Sequence, residues 1–350
     1  MPPRRIVTLA VVVLTLAGCT LRPETPTPSP LVPDATEQAR DLASYETNDL
    51  MTLANQVLQN APEESAPAVR HALRTCWTHY QGLGGIYYSA YPPELSLPRP
   101  SREITAYSLD IPGLIQALSD SATKLAADAT AQEDSALAQL FASMAVARAR
   151  LAIDLAAAAD LETTPVFGTD LWEGTAPSLT DPPIAEIVTR LDSLGYGFEV
   201  MAARHADPIR SHALHDAAQL RLLANQLADL AGLAGTPSDS RLGAYQLPND
   251  LRDPAVAVTT AIDWYRELAT TWAALIVTAP PADRPWLIRA LAAAENARLE
   301  WSPGTPEALP GLEEFDPSAS QETVPAEEPL NPEEAAISEE PPTSEDVATE

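Results

Sequence analysis

Glu46, Glu199, His212 and Glu295 are the side chains of this 350-residue chain whose type and placement come nearest to a metal ligand set. Each lies on or beside an apolar stripe of helical spacing. Glu46 falls one turn from both Leu42 and Leu50, Glu199 flanks Phe198, and Glu295 follows Leu291 by four. His212 stands three before His215 and four before Asp216, near a stripe that begins at Ile209. Carboxylates and an imidazole gathered inside a bundle can bind zinc, manganese or iron. The competing reading is ionic, because a buried acid needs a partner and an arginine supplies one without any metal. On that reading Glu46 pairs with Arg148, which lies between Met144 and Leu151 on another stripe. Glu295 then pairs with a neighbouring arginine, and the histidines sit at a bundle rim.

Nucleophilic chemistry has less to stand on. There is no Gly-x-Ser-x-Gly elbow, and Cys76 with His79 three residues on lacks a third orienting group. Cys76 shares helical spacing with Leu73, Trp77 and Tyr80, which suits a buried, inert thiol. "YQGLGG" and "AGLAG" are too short and misplaced for a phosphate loop. No catalytic residue is assigned, and the chain reads more readily as a non-enzyme.

The elements that must position these groups are helices. Between residues 34 and 161 four amphipathic segments are expected, at about 35–59, 67–83, from 110 onward, and 132–161. Residues 182–301 hold four more, at about 182–206, 208–234, 254–278 and 283–301. Asp181-Pro182, Asp207-Pro208 and Asp253-Pro254 each join an N-cap residue to proline at the first helical position. The Pro- and Thr-rich stretch 162–181 links the two groups. A loop of 25 residues, "GGIYYSAYPPELSLPRPSREITAYS", separates the second and third segments, and its Tyr and Pro residues suit either a recognition surface or a cap on the bundle end. The class is all-α, arranged as two up-and-down four-helix bundles.

The formal charge is −28, and residues 302–350 carry fourteen Asp or Glu and no Lys or Arg. This tail also holds nine prolines, so it is expected to stay disordered. Such a chain repels nucleic acid, and charge cannot hold it on an anionic membrane.

The opening residues supply another attachment. Arg4 and Arg5 precede an apolar run of 12 residues, Ile6 to Ala17, well short of the about 20 needed to cross a bilayer. The run ends in Leu16-Ala17-Gly18-Cys19, which resembles the lipobox of bacterial lipoproteins. The resemblance implies a signal peptide over 1–18, cleavage before Cys19, and a diacylglyceryl anchor on its thiol. Two or three acyl chains hold a protein stably on a membrane where one does not. The five prolines of "TLRPETPTPSPLVP" would make 19–33 a semi-rigid spacer. The folded part would then stand outside the cytoplasm, tethered to the cell membrane.

From about Ile184 to Trp301, "LDSLGYGFEVMAARH", "LGAYQLP" with "DPAVAV", and "ALAAAENARLEW" resemble a ferritin-like domain family of unknown function found in bacterial proteins. Residues 34–161 are similar in layout. Ferritin-like bundles usually bind two irons through Glu and Glu-x-x-His ligands. The residues three before the five histidines are Ala68, Cys76, Ala202, Ile209 and His212, so no Glu-x-x-His exists. The resemblance therefore implies the fold without the di-iron chemistry. No cofactor is expected, a transition metal being the alternative, and an envelope protein or polymer is the expected partner.

Overall fold

A computed structural model describes residues 32–87, 105–168, 171, 177–178, 184–302 and 304–312, and these contain eight α-helices and no strand. Cys19, the signal segment, most of the spacer, most of the Tyr- and Pro-rich loop and the tail beyond 312 lie outside the described residues. The helices are α1 (Ala35–Leu58), α2 (Ala66–Gly82), α3 (Ile111–Ala131), α4 (Ser135–Ala158), α5 (Ile184–Arg204), α6 (Ile209–Leu230), α7 (Pro254–Thr278) and α8 (Arg284–Trp301).

Local chemistry accounts for where four of them begin. Asp34, Asp110, Asp134 and Asp253 each turn a carboxylate back onto a free backbone N–H of the first turn, at 2.8–2.9 Å. Sequential helices pair as α1/α2, α3/α4, α5/α6 and α7/α8, and α1 packs on α3 while α2 packs on α4, closing the first bundle. The second joins its two hairpins through α5 and α7. Gly197 permits this approach, since a Cβ there would lie only 2.5 Å from the Trp264 ring of α7, and Gly195 makes room for α6, where a Cβ would lie 2.9 Å from the Arg221 side chain.

α4 belongs to both bundles. Its first half, with Leu137, Phe141 and Met144, joins a core built mainly from α5–α8. Its second half, with Leu151 and Leu155, joins the core of α1, α2 and α3. Long and apolar enough to cross a membrane by length and composition, α4 is instead mostly buried among the other helices. Alanines fill much of its surface, which lets neighbouring helices approach from several directions.

Two readings of the sequence change here. Trp77 is 51% exposed and stacks on Tyr80, while the buried face of α2 runs through Val69, Ala72, Cys76 and His79. Small residues took the interior of α2 because close helix contact leaves little room for an indole. Residues 304–312, assigned to the tail, lie against the bundles, with Leu309 buried. Gly311 makes this possible: its φ of 77° is left-handed, and a Cβ there would stand 2.6 Å from the Ala269 carbonyl oxygen. This strap ties the halves together. Ser143 of α4 donates to the Pro310 carbonyl at 2.9 Å, and Arg266 of α7 reaches Glu307 at 2.9 Å.

Candidate functional site

Each helix of the first bundle sends one polar group to its centre. Arg148 of α4 is fully buried. Its guanidinium donates to Thr47 Oγ1 of α1 at 2.6 Å, to Ser121 Oγ of α3 at 2.5 Å, and to His79 Nδ1 of α2 at 3.3 Å. None of these acceptors is a carboxylate. Burial pulls the Arg148 pKa down, with the negative charge of nearby Glu46 opposing, yet an arginine keeps its proton at neutral pH. A cation thus sits in the core, hydrogen-bonded to neutral groups, with the Glu46 carboxylate near enough for its charge to be felt.

His79 carries this network to the strap. Its Nε2–H donates to the Ala308 carbonyl at 2.7 Å while Nδ1 accepts from Arg148, which fixes one neutral tautomer. Burial, reinforced by the Arg148 charge, drives its pKa down to about 3, against the Ala308 bond. Cys76, one turn earlier, is buried and its thiol pKa is raised by desolvation, so it is no nucleophile at neutral pH.

In front of Ser121 opens a cleft of about 550 Å³ between α1 and α3. Glu46, Asp49, Asp120 and Lys124 supply its charges, Ser121 and Tyr107 its hydroxyls, and Leu50, Leu53 and Ala117 its apolar floor. Lys124 bridges Glu46 at 3.3 Å and Asp128 at 2.6 Å. Burial raises the Glu46 pKa, with Lys124 opposing. Asp120 accepts from the Tyr107 hydroxyl at 3.1 Å and from Gln116 at 2.7 Å. A cleft of this size, with an apolar floor and a few convergent charges, has the makeup of a small-molecule site.

The four ligand candidates do not gather in one place. Glu46 pairs with Lys124, and the ionic pairing expected with Arg148 is corrected: Arg148 turns to hydroxyls and an imidazole deeper in the bundle. Glu199, on α5, is clasped by both ends of the Arg221 guanidinium, which also binds Asp192. Glu295 is buried and takes a bidentate bond from Arg298 at 2.7 Å twice, plus the Glu307 N–H at 3.1 Å. Here the neighbouring-arginine reading holds. Burial raises the Glu295 pKa, with Arg298 pulling the other way.

His212 stacks on Trp301, ring centroids 4.2 Å apart, with Nε2 3.4 Å from Glu300 and 4.0 Å from Asp216. Asp216 itself is buried and accepts from Trp301 Nε1 at 2.6 Å. Burial raises its pKa, with the Trp301 bond opposing. Among the described residues no group of three or more His, Cys, Asp or Glu side chains has the arrangement a metal ion needs.

Sequence reasoning missed Thr47 and Ser121 as partners, and treated Arg148 only as a counter-charge. A signal was present: Arg148 sits mid-stripe, and His79 lies one turn beyond Cys76 on the same interior face. Two such residues on facing helices announce a polar core.

Residues 193–314 match a family described as a domain of unknown function, DUF4439. The match begins within α5 and runs through the strap, so the arginine-clasped Glu199 and Glu295 fall inside it, and α1–α4 with their cleft fall outside. Neither the curated proteins nor the solved structures contain a match to the chain.

Proposed function

We propose that this chain is a lipid-anchored cell-envelope protein with a ferritin-like helical fold, acting as a binding module rather than an enzyme, and that its ligand enters the α1–α3 cleft. One observation carries the binding reading: the acids suited to metal or catalytic work are each occupied by their own partners, whereas the cleft presents charges, hydroxyls and an apolar floor on one concave surface. The anchor reading rests on Leu16-Ala17-Gly18-Cys19 and the prolines that follow. In this scheme cleavage leaves Cys19 at the N-terminus, acylation places it in the outer face of the cell membrane, and residues 19–33 lead into α1, one wall of the cleft. An envelope protein or polymer remains a candidate partner for the exposed surfaces.

The test of the address is membrane fractionation. Wild-type protein should stay with membranes through a high-salt wash, and Cys19→Ser should be released or remain unprocessed; tight membrane association of the variant would refute the anchor.

A second reading, a divergent metal-binding or redox ferritin-like protein, is favoured by one place only, where His212 faces Glu300 and Asp216. Metal analysis of protein grown in metal-replete medium separates the two. Stoichiometric transition metal that is lost on His212→Ala would establish the second and sink the first.

A further inference from the structure

Arg70, Arg74 and Trp77 of α2 stand at i, i+4 and i+7, so they share one stripe of the helix. It lies opposite the stripe that buries Val69, Ala72, Cys76 and His79. All three are exposed, and the Trp77 ring stacks on Tyr80 with centroids 5.9 Å apart. Arg221 and Arg266 each hold a carboxylate near the surface; Arg70 and Arg74 hold none among the described residues, although Glu63 and Glu64 precede the helix. Among the described residues the other exposed arginines without one are Arg204, Arg210 and Arg252. Each of those has Asp207 or Asp253 within three residues along the chain. The α2 face is thus a pair of free cations beside an exposed aromatic pair.

The strap delivers the complement of this face to the same helix. Ala308 accepts from His79 at 2.7 Å, a Cβ on Gly82 would lie 4.0 Å from Leu309, and the Leu312 N–H turns back to the Leu309 carbonyl at 3.1 Å. The chain therefore leaves the strap beside the C-terminal end of α2. Residues 313–350 hold thirteen Asp or Glu, six prolines and no Lys, Arg or His. Many of the acids come in pairs: Glu327-Glu328, Glu333-Glu334, Glu339-Glu340 and Glu345-Asp346 follow one another at six-residue intervals. A proline-rich chain extends by about 3.1 Å per residue, so the 15 residues from Leu312 to Glu327 can reach about 45 Å. Half the circumference of a helix about 10–12 Å wide is less than half of that.

We propose that the Arg70, Arg74 and Trp77 face of α2 is the docking surface for this chain's own acidic tail, residues 313–350. Paired carboxylates meet the two guanidiniums, about 6 Å apart across one helical turn. Tail prolines pack on the Trp77 and Tyr80 rings, as proline-rich segments do on aromatic surfaces. Exposed ion pairs are individually weak and are screened by salt. Tethering offsets this, because a flexibly linked segment is held at about millimolar effective concentration. Four equivalent acid pairs let the tail exchange registers on the face without adopting one fixed fold, and while docked it shields the face from other partners. An anionic lipid surface is the rival occupant for two arginines and an indole, but it would have to draw in a chain of formal charge −28. The proposal is independent of what enters the α1–α3 cleft.

Lys124 is the only lysine in the chain, which makes carbodiimide cross-linking of lysine to carboxylate selective. Arg74→Lys keeps the charge on the α2 face, and Arg210→Lys puts the same probe on the second bundle; both are made in the full chain in uncharged detergent. Mass spectrometry should find amide links to residues 313–350 at least about tenfold more often from position 74 than from position 210, and about 0.5 M NaCl should cut them by a similar factor. A second measurement leaves the arginines untouched. With 5-fluorotryptophan incorporated, the Trp77 fluorine resonance, assigned by its loss in Trp77→Phe, should shift when the thirteen acids of residues 313–350 are changed to amides. Links that form equally from both positions, or only between labelled and unlabelled molecules in a mixture, would overturn the proposal, as would a Trp77 resonance indifferent to the tail acids. That indifference, combined with a shift on adding phosphatidylglycerol vesicles, would assign the face to lipid instead.

Discussion

His79 makes the first bundle sensitive to acid, and the size of the effect can be worked out. Its imidazole is fully buried, neutral, and bonded on both nitrogens, with its pKa lowered from the ordinary 6.5 to about 3. In the unfolded chain it takes up a proton as pH falls through 6.5; in the folded chain it does not until about 3. The unfolded state therefore binds the extra proton across that window. Folding stability contributed by neutral His79 is complete above 6.5 and is lost progressively on acidification. The loss is about 1.4 kcal/mol per pH unit, so moving from pH 7 to pH 5 removes about 2 kcal/mol. Burial also raises the carboxyl pKa values of Glu46, Asp216 and Glu295, and these groups act in the opposite sense, gaining native-state stability as they protonate.

A comparison of variants isolates the histidine. His79→Gln keeps a donor for the Ala308 carbonyl and an acceptor for Arg148 but cannot titrate in this range. Urea unfolding of both proteins at pH 7, 6 and 5 should show the wild type losing about 2 kcal/mol more than the variant between the ends, while terms from the carboxyl groups cancel. The variant should be the less stable of the two at pH 7, by about 1 kcal/mol for imperfect hydrogen bonds. Parallel stability curves between pH 7 and 5 would refute the reasoning, as would a histidine Hε1 resonance for His79 that titrates near 6.5 in the folded protein.

Two further predictions concern the contacts that close the second bundle. Gly311→Val should destabilise the fold by about 1–3 kcal/mol, because the new Cβ meets the Ala269 carbonyl at 2.6 Å and the residue must adopt a positive φ; thermal unfolding reads this directly, and an unchanged midpoint would show that the strap contributes nothing. Glu295→Ala should cost about 3 kcal/mol, at the lower end for breaking a buried pair, since Arg298 retains Glu307 at 3.6 Å as a distant partner. Glu295→Gln should cost less because it still accepts from Arg298, and equal losses in the two variants would mean that the lost charge, not the lost hydrogen bonds, carries the whole cost.

The candidate site was legible only in part. Helical spacing identified α1 to α8 to within a few residues, and Asp253-Pro254 marked the start of α7 by the same carboxylate cap the structure displays. The same spacing misled at Trp77, because a stripe in the sequence does not say which edge of it faces the core. Glu295 and Arg298 were readable as a pair since one turn of a helix brings them together. Glu46 was not assigned its partner correctly: Lys124 and Arg148 both lie on facing helices, and only the rotation of α3 and α4 about their axes decides which one the carboxylate reaches.

The sequence by itself determined the class and the helices, because these depend on residue order over one or two turns. Tertiary structure alone decided that α4 serves two cores and that residues 304–312 return as a strap. It also decided that Thr47, His79, Ser121 and Arg148 meet at one point behind the cleft. Those contacts join residues up to 229 positions apart, as His79 and Ala308 are. Local propensity carries no information at that separation; packing of alanine-lined faces, and the need of buried polar groups for partners, brings them together.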